Sequence, residues 1–319
     1  MFCLILLWFV CEKYLKYYYA FIYSILYGGS IITYDLATSE DFSRTSIPNS
    51  PIFLITFESS IILSILILYY RCSEFNSIHV LDKLLLLASG CFYCIFIILM
   101  MLTISMTSAS FANNSEFLNI IFTFISELLL NKNSFKNIPI IVTIVLSGIL
   151  ANYGLLRFDN DNVKLGYLIS CFSLFSENIS GILNMKVIKI SQPNRMILMM
   201  LGIFIFSFTA SLINFFYFKI TSYYNWWIYL HILINILYIT NYIYVVKTFG
   251  IVFDSITCSL AIFYSFLFTI LENSDVNDLF VAIFGTSLLI INILNYIQNH
   301  ANHEKVDFLK NAYNISSDG

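Results

Sequence analysis

Apolar residues in this chain run almost unbroken for some twenty positions at a time, and short polar clusters separate the runs. A helix needs roughly 20 apolar residues to cross a bilayer. By that measure helices are expected near 16–36, 51–70, 84–105, 107–130 and 138–156. A second set is expected near 165–187, 196–218, 225–246, 249–271 and 279–298. The stretches 84–130 and 225–271 are each too long for one crossing, so each divides into two helices joined by a very short turn. Strands are overruled despite the many β-branched and aromatic residues, because an open sheet edge leaves its backbone unsatisfied in lipid. The expected fold class is therefore all-α and polytopic, with about ten transmembrane helices. Residues 2–11 are too short to span and are followed by Glu12, Lys13 and Lys16. They lack the charged start and small-residue cleavage site of a signal sequence, and read as an interfacial extension of the first helix. The chain then divides into a cytosolic or interfacial segment (1–15), a first five-helix set (16–156), a second (165–298) and a cytosolic tail (299–319).

Composition agrees with that reading. Of the 319 residues, 59% are hydrophobic and 11% charged, against roughly 25% charged in ordinary soluble domains. The four prolines (Pro48, Pro51, Pro139 and Pro193) fall between apolar runs or at their first residues, where a helix tolerates them best. A net charge of −3, evenly spread, argues against nucleic acid as a partner. Cys91 and Cys94 have the spacing of a redox or zinc pair, but they lie inside a long apolar run with no second pair. They read as small buried hydrophobes. The chain has no paired histidines at metal spacing, no Gly-rich phosphate loop and no nucleophile elbow, so neither an enzyme nor a cofactor is expected.

Ten crossings put both termini on one side, and the basic residues choose the side. With a cytosolic N-terminus, the opposite face holds Arg44, Arg157, Lys164 and Lys219, and the other twelve of the sixteen Lys and Arg residues are cytosolic. That is the positive-inside bias. Two sets of five helices also suggest an internal repeat. Leu118–Asn131 and Leu260–Asn273, each in the fourth helix of its half, share five identities in fourteen positions. An odd number of helices per half would make the repeats inverted, as in many transporters with a site near the midplane.

An ionisable group inside a membrane costs at least about 2.5–3.5 kcal/mol and is a functional candidate by default. Glu58 lies in the second helix. Asn113, Glu116 and Asn119 are spaced i, i+3, i+6 along one face of the fourth, and Glu177, Asn178 and Asn184 fall in the sixth. His231 and Asn235 are i, i+4 in the eighth, and Asp254 lies in the ninth, beyond Lys247. Asn and His in such bundles also serve as interhelical glue. Glu127 and Lys186 are near enough to helix ends to snorkel to the interface.

These residues bear a resemblance. Val245-Val246-Lys247, followed twelve residues later by Ser259-Leu260, is similar to the V-V-K segment at the start of helix 9 in nucleotide-sugar transporters of the drug/metabolite transporter superfamily. Ser180-Gly181-Ile182 leading to Lys186, Lys189, Arg195 and Gly202 resembles that family's A-G-V…K-x-x-K stretch, and Glu58 its helix 2 acidic residue. The resemblance covers nearly the whole chain. It implies a Golgi or endoplasmic-reticulum antiporter that exchanges a nucleotide sugar for a nucleoside monophosphate by alternating access. Lys247, with Lys186, would hold phosphate. Glu58, Asn113 and Glu116 would shape the polar wall, and Asn184 and Ser259 would meet base or sugar.

The departures concern ligand charge. The family's phosphate-neutralising lysines of helices 4 and 9 fall at Leu118 and Asp254 here. A diphosphate beside Asp254 and Glu116 would be repelled unless Lys247 or Lys186 reached it. Two alternatives therefore stand beside the antiporter. One is a drug/metabolite carrier for a cationic or neutral solute, with Asp254 or Glu116 as counter-charge. The other is a membrane scaffold that does not transport. The expected partners are the lipid bilayer and a small solute, and a homodimer is left open.

Overall fold

The computed structural model describes residues 21–34, 50–69, 78–107, 115–129, 138–155, 161–187, 189–217, 226–249, 251–261 and 278–317, with isolated positions between them. They form α1 (Phe21–Tyr34), α2 (Ser50–Tyr69), α3 (Val80–Met106), α4 (Phe117–Leu129) and α5 (Ile138–Leu155). They continue as α6 (Asp161–Lys186), α7 (Gln192–Tyr217), α8 (Trp226–Phe249), α9 (Ile251–Cys258) and α10 (Leu279–Ser317). No described residue is in a strand. Three segments, Val80–Ile104, Pro193–Ile213 and Leu279–Gln298, are long and apolar enough to cross a membrane. Phe21–Tyr34, Ile55–Leu68, Phe117–Ser126 and Ile138–Gly154 are shorter apolar helices.

Local chemistry explains several ends. His79 caps α3, its Nδ1 accepting from the Leu81 N–H at 3.3 Å. Asp278 Oδ1 accepts from the Val281 N–H at 3.1 Å, and the Asp278 N–H donates to Gly154 O at 2.9 Å. The start of α10 is thereby tied to the end of α5. Pro51, Pro139 and Pro193 each occupy the first turn of a helix, where the missing N–H has no intrahelical partner to lose.

The bundle is apolar outside, and its largely apolar interior also holds ionisable side chains. Leu68 and Phe280 are 83% and 78% exposed, and Leu165, Leu168, Phe172 and Phe175 present an apolar ridge along α6. Buried in the interior are Glu58, Glu116, Glu177, Asp254 and Arg195. Exposed apolar ridges over buried ionisable groups are compatible with a membrane protein.

Helix α3 packs on α6 and α7, α2 on α7, α5 on α10, and α4 on α6 and α9. The closest crossings rest on small residues. A Cβ on Gly90 would lie 2.1 Å from Met199 O, and one on Gly202 would lie 2.2 Å from Leu87 O, so α3 and α7 touch backbone to backbone. Gly154 faces Ala282, and Gly285 faces Ala151, in the same way between α5 and α10. Hydroxyls supplement these contacts. Ser89 Oγ donates to Ser180 O at 3.0 Å, and Ser173 Oγ to Phe96 O at 2.8 Å, both joining α3 to α6.

Two expected helices are interrupted within their apolar runs. In the run 107–130, Ala112 and Ser115 are helical, Glu116 forms a turn in which the Asn119 N–H bonds Glu116 O at 2.9 Å, and α4 follows from Phe117. In the run 249–271, α9 passes into a turn at Ser259–Leu260, where the Leu260 N–H bonds Thr257 O at 3.1 Å, and Ala261, Tyr264 and Leu267 beyond it are again helical. Both are i→i+3 closures, tighter than an α-helix. At the other end, the helix expected to stop near 298 continues in α10 to Ser317.

Candidate functional site

The turn at Glu116 aims its carboxylate between α1, α4 and α6. Tyr27, on α1, donates its hydroxyl to Glu116 Oε1. Asn119, one turn into α4, donates Nδ2 to Glu177 Oε2 of α6 at 2.6 Å and lies 3.4 Å from Glu116 Oε2. Asn119 Oδ1 accepts from Asn178 Nδ2. One asparagine therefore bridges two carboxylates from different helices. The third carboxylate belongs to α9: Tyr23 donates to Asp254 Oδ1 at 2.5 Å and sits 3.3 Å from the Tyr238 hydroxyl.

Five buried tyrosines connect these groups. Tyr23 stacks on Tyr238 with centroids 5.3 Å apart, and Tyr27 meets Tyr238 at the same distance, tilted. Tyr238 then contacts Tyr242 at 6.4 Å, and Tyr242 contacts Tyr93 at 4.9 Å. Glu116, Glu177 and Asp254 are at most 3% exposed. The hydrogen-bond partners described for them are tyrosine and asparagine, all neutral. Glu177 Oε1 has no hydrogen-bond partner among the described residues.

A second polar group lies on the other side of Tyr27. Asn235 of α8 donates to Glu58 Oε2 at 2.7 Å and accepts from Ser30 Oγ at 3.3 Å. His231, one turn earlier, places Nδ1 3.0 Å from Ser30 O and 3.3 Å from Thr33 Oγ1. His231 and Asn235 line a cavity with Tyr27, Tyr34, Tyr93 and Tyr238. Its volume is about 40 Å³, room for roughly three waters.

Of the residues picked out from the sequence, Glu58, Glu116, Asn184, Asp254 and Ser259 are all buried. Glu116 and Asp254 join the same tyrosine-lined cluster, whereas Glu58 belongs to the Asn235 group. Ser259 uses its hydroxyl on Ser255 O of its own helix, 3.0 Å away. Asn184 points the other way along α6, to Arg195. Lys186 is exposed at the end of α6 and joins none of these groups. Asn113 and the Lys247 side chain lie outside the described residues.

The sequence reading missed the tyrosines and Arg195. Tyrosine is abundant throughout the chain (22 residues), so the five central ones carry no signal of their own. Arg195 follows Pro193 and Asn194 at the start of an apolar run and counts as cytosolic in the basic-residue tally. It is fully buried, with Nε and Nη2 donating to Asn184 Oδ1 at 3.0 and 2.5 Å and Nη2 to Asn184 O at 3.1 Å. The pair Cys91 and Cys94 is unbonded and partly to fully buried, and among the described residues no cluster of His, Cys, Asp and Glu has metal-holding geometry.

No protein-family model and no curated protein matches the chain. The fold itself recurs among solved structures: a protein crystal structure superposes with a TM-score of 0.57, covering 88% of this chain and 96% of that one at 11% identity. The likeness is one of fold.

Proposed function

We propose that this chain is a ten-crossing carrier of a small cationic solute, and that Glu116, Glu177 and Asp254 supply its counter-charge. The observation that carries this reading is the set of three buried carboxylates whose described partners are all neutral. Each would cost at least about 2.5–3.5 kcal/mol inside a membrane, and a bound cation would offset that cost. Tyrosine rings around the cluster suit the same guest, because their faces attract cations. The charge is wrong for a diphosphate, which ranks the cation carrier above nucleotide-sugar exchange. That second reading retains the motif resemblance and the position of Lys247 in α8.

Several features favour alternating access. Helices α2 and α7, α4 and α9, and α5 and α10 pack as pairs, each joining counterparts of two five-helix halves. The breaks at Glu116 and at Ser259–Leu260 fall in the paired α4 and α9, and interrupted helices mark the sites of many inverted-repeat carriers. In this topology twelve of the sixteen basic residues fall on the cytosolic face, which supports cytosolic termini. Golgi or endoplasmic-reticulum membranes remain the expected address by resemblance alone.

A thermal-shift screen of the purified protein tests this. The panel holds amines, nucleotide sugars, nucleoside monophosphates and sugar phosphates. A ligand that binds only the folded form at a hundredfold excess over its Kd stabilises it by about 2.7 kcal/mol. Amines are expected to shift the wild type and not Asp254→Asn. A shift with one nucleoside monophosphate and its sugar conjugate, and none with amines, would install nucleotide-sugar exchange. No shift from a folded sample would favour a scaffold.

A further inference from the structure

Arg195 is the largest fully buried side chain in the described structure, and its charge is not matched by any described carboxylate. Its partner is the neutral Asn184, through three hydrogen bonds. These fix the amide orientation, because the guanidinium can only donate and Asn184 must present Oδ1 to it. That leaves Arg195 Nη1 and Asn184 Nδ2, both buried and both donors, without hydrogen-bond partners among the described residues. Two unused buried donors on bonded side chains, one of them cationic, have the chemistry that complements an oxyanion.

The carboxylate cluster has the opposite need. Glu177 Oε1 and Asn178 Oδ1 are buried acceptors without described partners. Tyr242 is common to the two regions. It lies within electrostatic reach of Arg195, Asp254 and Glu177, and its hydroxyl contacts Ser180 of α6. Opposite charges buried in one interior stabilise each other best in direct contact, and leaving either one uncompensated is strongly destabilising. Here the described hydrogen bonds of Arg195 go to Asn184, and none joins it to a carboxylate.

We propose that the solute is zwitterionic: its ammonium group binds among Glu116, Glu177 and Asp254, and its carboxylate or phosphate is held by Arg195 and Asn184. This rests on the cation-carrier reading and narrows its substrate class. A single guest then offers an ammonium to the acidic cluster and an oxyanion to Arg195. Simple amines fill only the acidic half of the site.

The test compares matched ligands by thermal shift and by equilibrium binding to the purified full-length protein. The probes are ω-amino acids of increasing length, phosphoethanolamine, and the alkylamines and carboxylates of the same carbon count. One zwitterion is expected to bind at least about tenfold more tightly than its amine, a difference of 1.4 kcal/mol. Whether that zwitterion is an amino acid or phosphoethanolamine names the oxyanion. In Arg195→Gln the preference collapses, so that zwitterion and amine bind alike. Arg195→Lys, which retains charge but not the planar fork, keeps part of it. Residual amine binding in both variants reports an intact fold. If amines bind the wild type and zwitterions bind no better, the second subsite does not exist while the carrier reading survives. If both ligands lose affinity equally in both arginine variants, Arg195 is structural and the proposal is wrong. If neither class binds the folded wild type, the carrier reading fails as well.

Discussion

The crossings of α3 with α7 and of α5 with α10 use the smallest side chains in the chain, whereas the chamber between α1, α4, α6 and α9 holds some of the costliest. At the crossings, Gly90, Gly202, Gly154 and Gly285 let backbones touch, and each would force a Cβ to within 2.1–2.4 Å of the opposing helix. In the chamber three carboxylates are held by neutral side chains, and polar atoms such as Glu177 Oε1 have no partner among the described residues. Lipid offers little hydrophobic drive between helices, so close packing of small residues must supply much of the attraction that holds them together. The contrast teaches a division of labour. Close-packed seams provide the stability that burying polar groups consumes, and unmatched polar atoms lie in the cluster.

The largest effect expected of any single change lies in a seam. Gly202→Val adds atoms where even a methyl would meet Leu87 O at 2.2 Å. Overpacking at backbone contact should cost about 3 kcal/mol or more. The measurement is the yield and melting temperature of monodisperse protein in detergent. A Gly202→Val protein that melts like the wild type would show that α3 and α7 do not carry the fold.

Next comes the chamber, where function and stability should part. Asp254→Asn keeps the shape and can still accept from Tyr23, but it removes a charge that a cationic guest would neutralise. Amine binding should fall about a hundredfold, or about 2.7 kcal/mol, with the melting temperature unchanged or higher, since a buried charge is lost. A variant that melts far lower would make Asp254 part of the scaffold and erase the distinction between the regions.

The seams and the chamber were unequally legible in the sequence. Apolar runs predicted all ten helices, because length and hydropathy are local properties, and the prolines marked helix starts for the same reason. Buried polar and ionisable residues were also legible: Glu58, Glu116, Asn184 and Asp254 stand out against apolar neighbours, and all four are interior. Partnership was not legible. Tyr27 meets Glu116 across 89 residues and Tyr23 meets Asp254 across 231, and no local pattern encodes such pairings. The burial of Arg195 was not legible because, two residues after a proline at the edge of an apolar run, it resembles a loop cation. The turns at Glu116 and Ser259–Leu260 were hidden too, since a turn inside a continuous apolar run changes hydrogen bonding without changing hydropathy.

A third change separates the two duties of the tyrosines. Tyr27→Phe keeps the ring against Tyr238 while removing the hydroxyl that donates to Glu116. A hydrogen bond to a charged acceptor is worth about 1.5–3 kcal/mol, but in the bound state the guest takes over part of Glu116. Amine binding should therefore change by no more than about tenfold, measured by titration. A loss as large as that of Asp254→Asn would show that Tyr27 itself positions the ligand.

The smallest effect is expected from the polar contact between α2 and α7. Thr56 Oγ1 and Ser211 Oγ are 2.8 Å apart, and Thr56→Val removes that bond at nearly constant volume. Interhelical hydrogen bonds in membrane bundles average about 0.6 kcal/mol, partly because a released hydroxyl can turn to its own helix. This bundle shows how readily that happens: Thr123, Ser147, Thr257 and Ser259 all bond carbonyls three or four residues back. Ser211 would have the same recourse. The Thr56→Val protein should melt within a few degrees of the wild type. A loss above about 2 kcal/mol would exceed the bond's known range, and would make hydroxyl pairing rather than backbone contact the force that holds the seams.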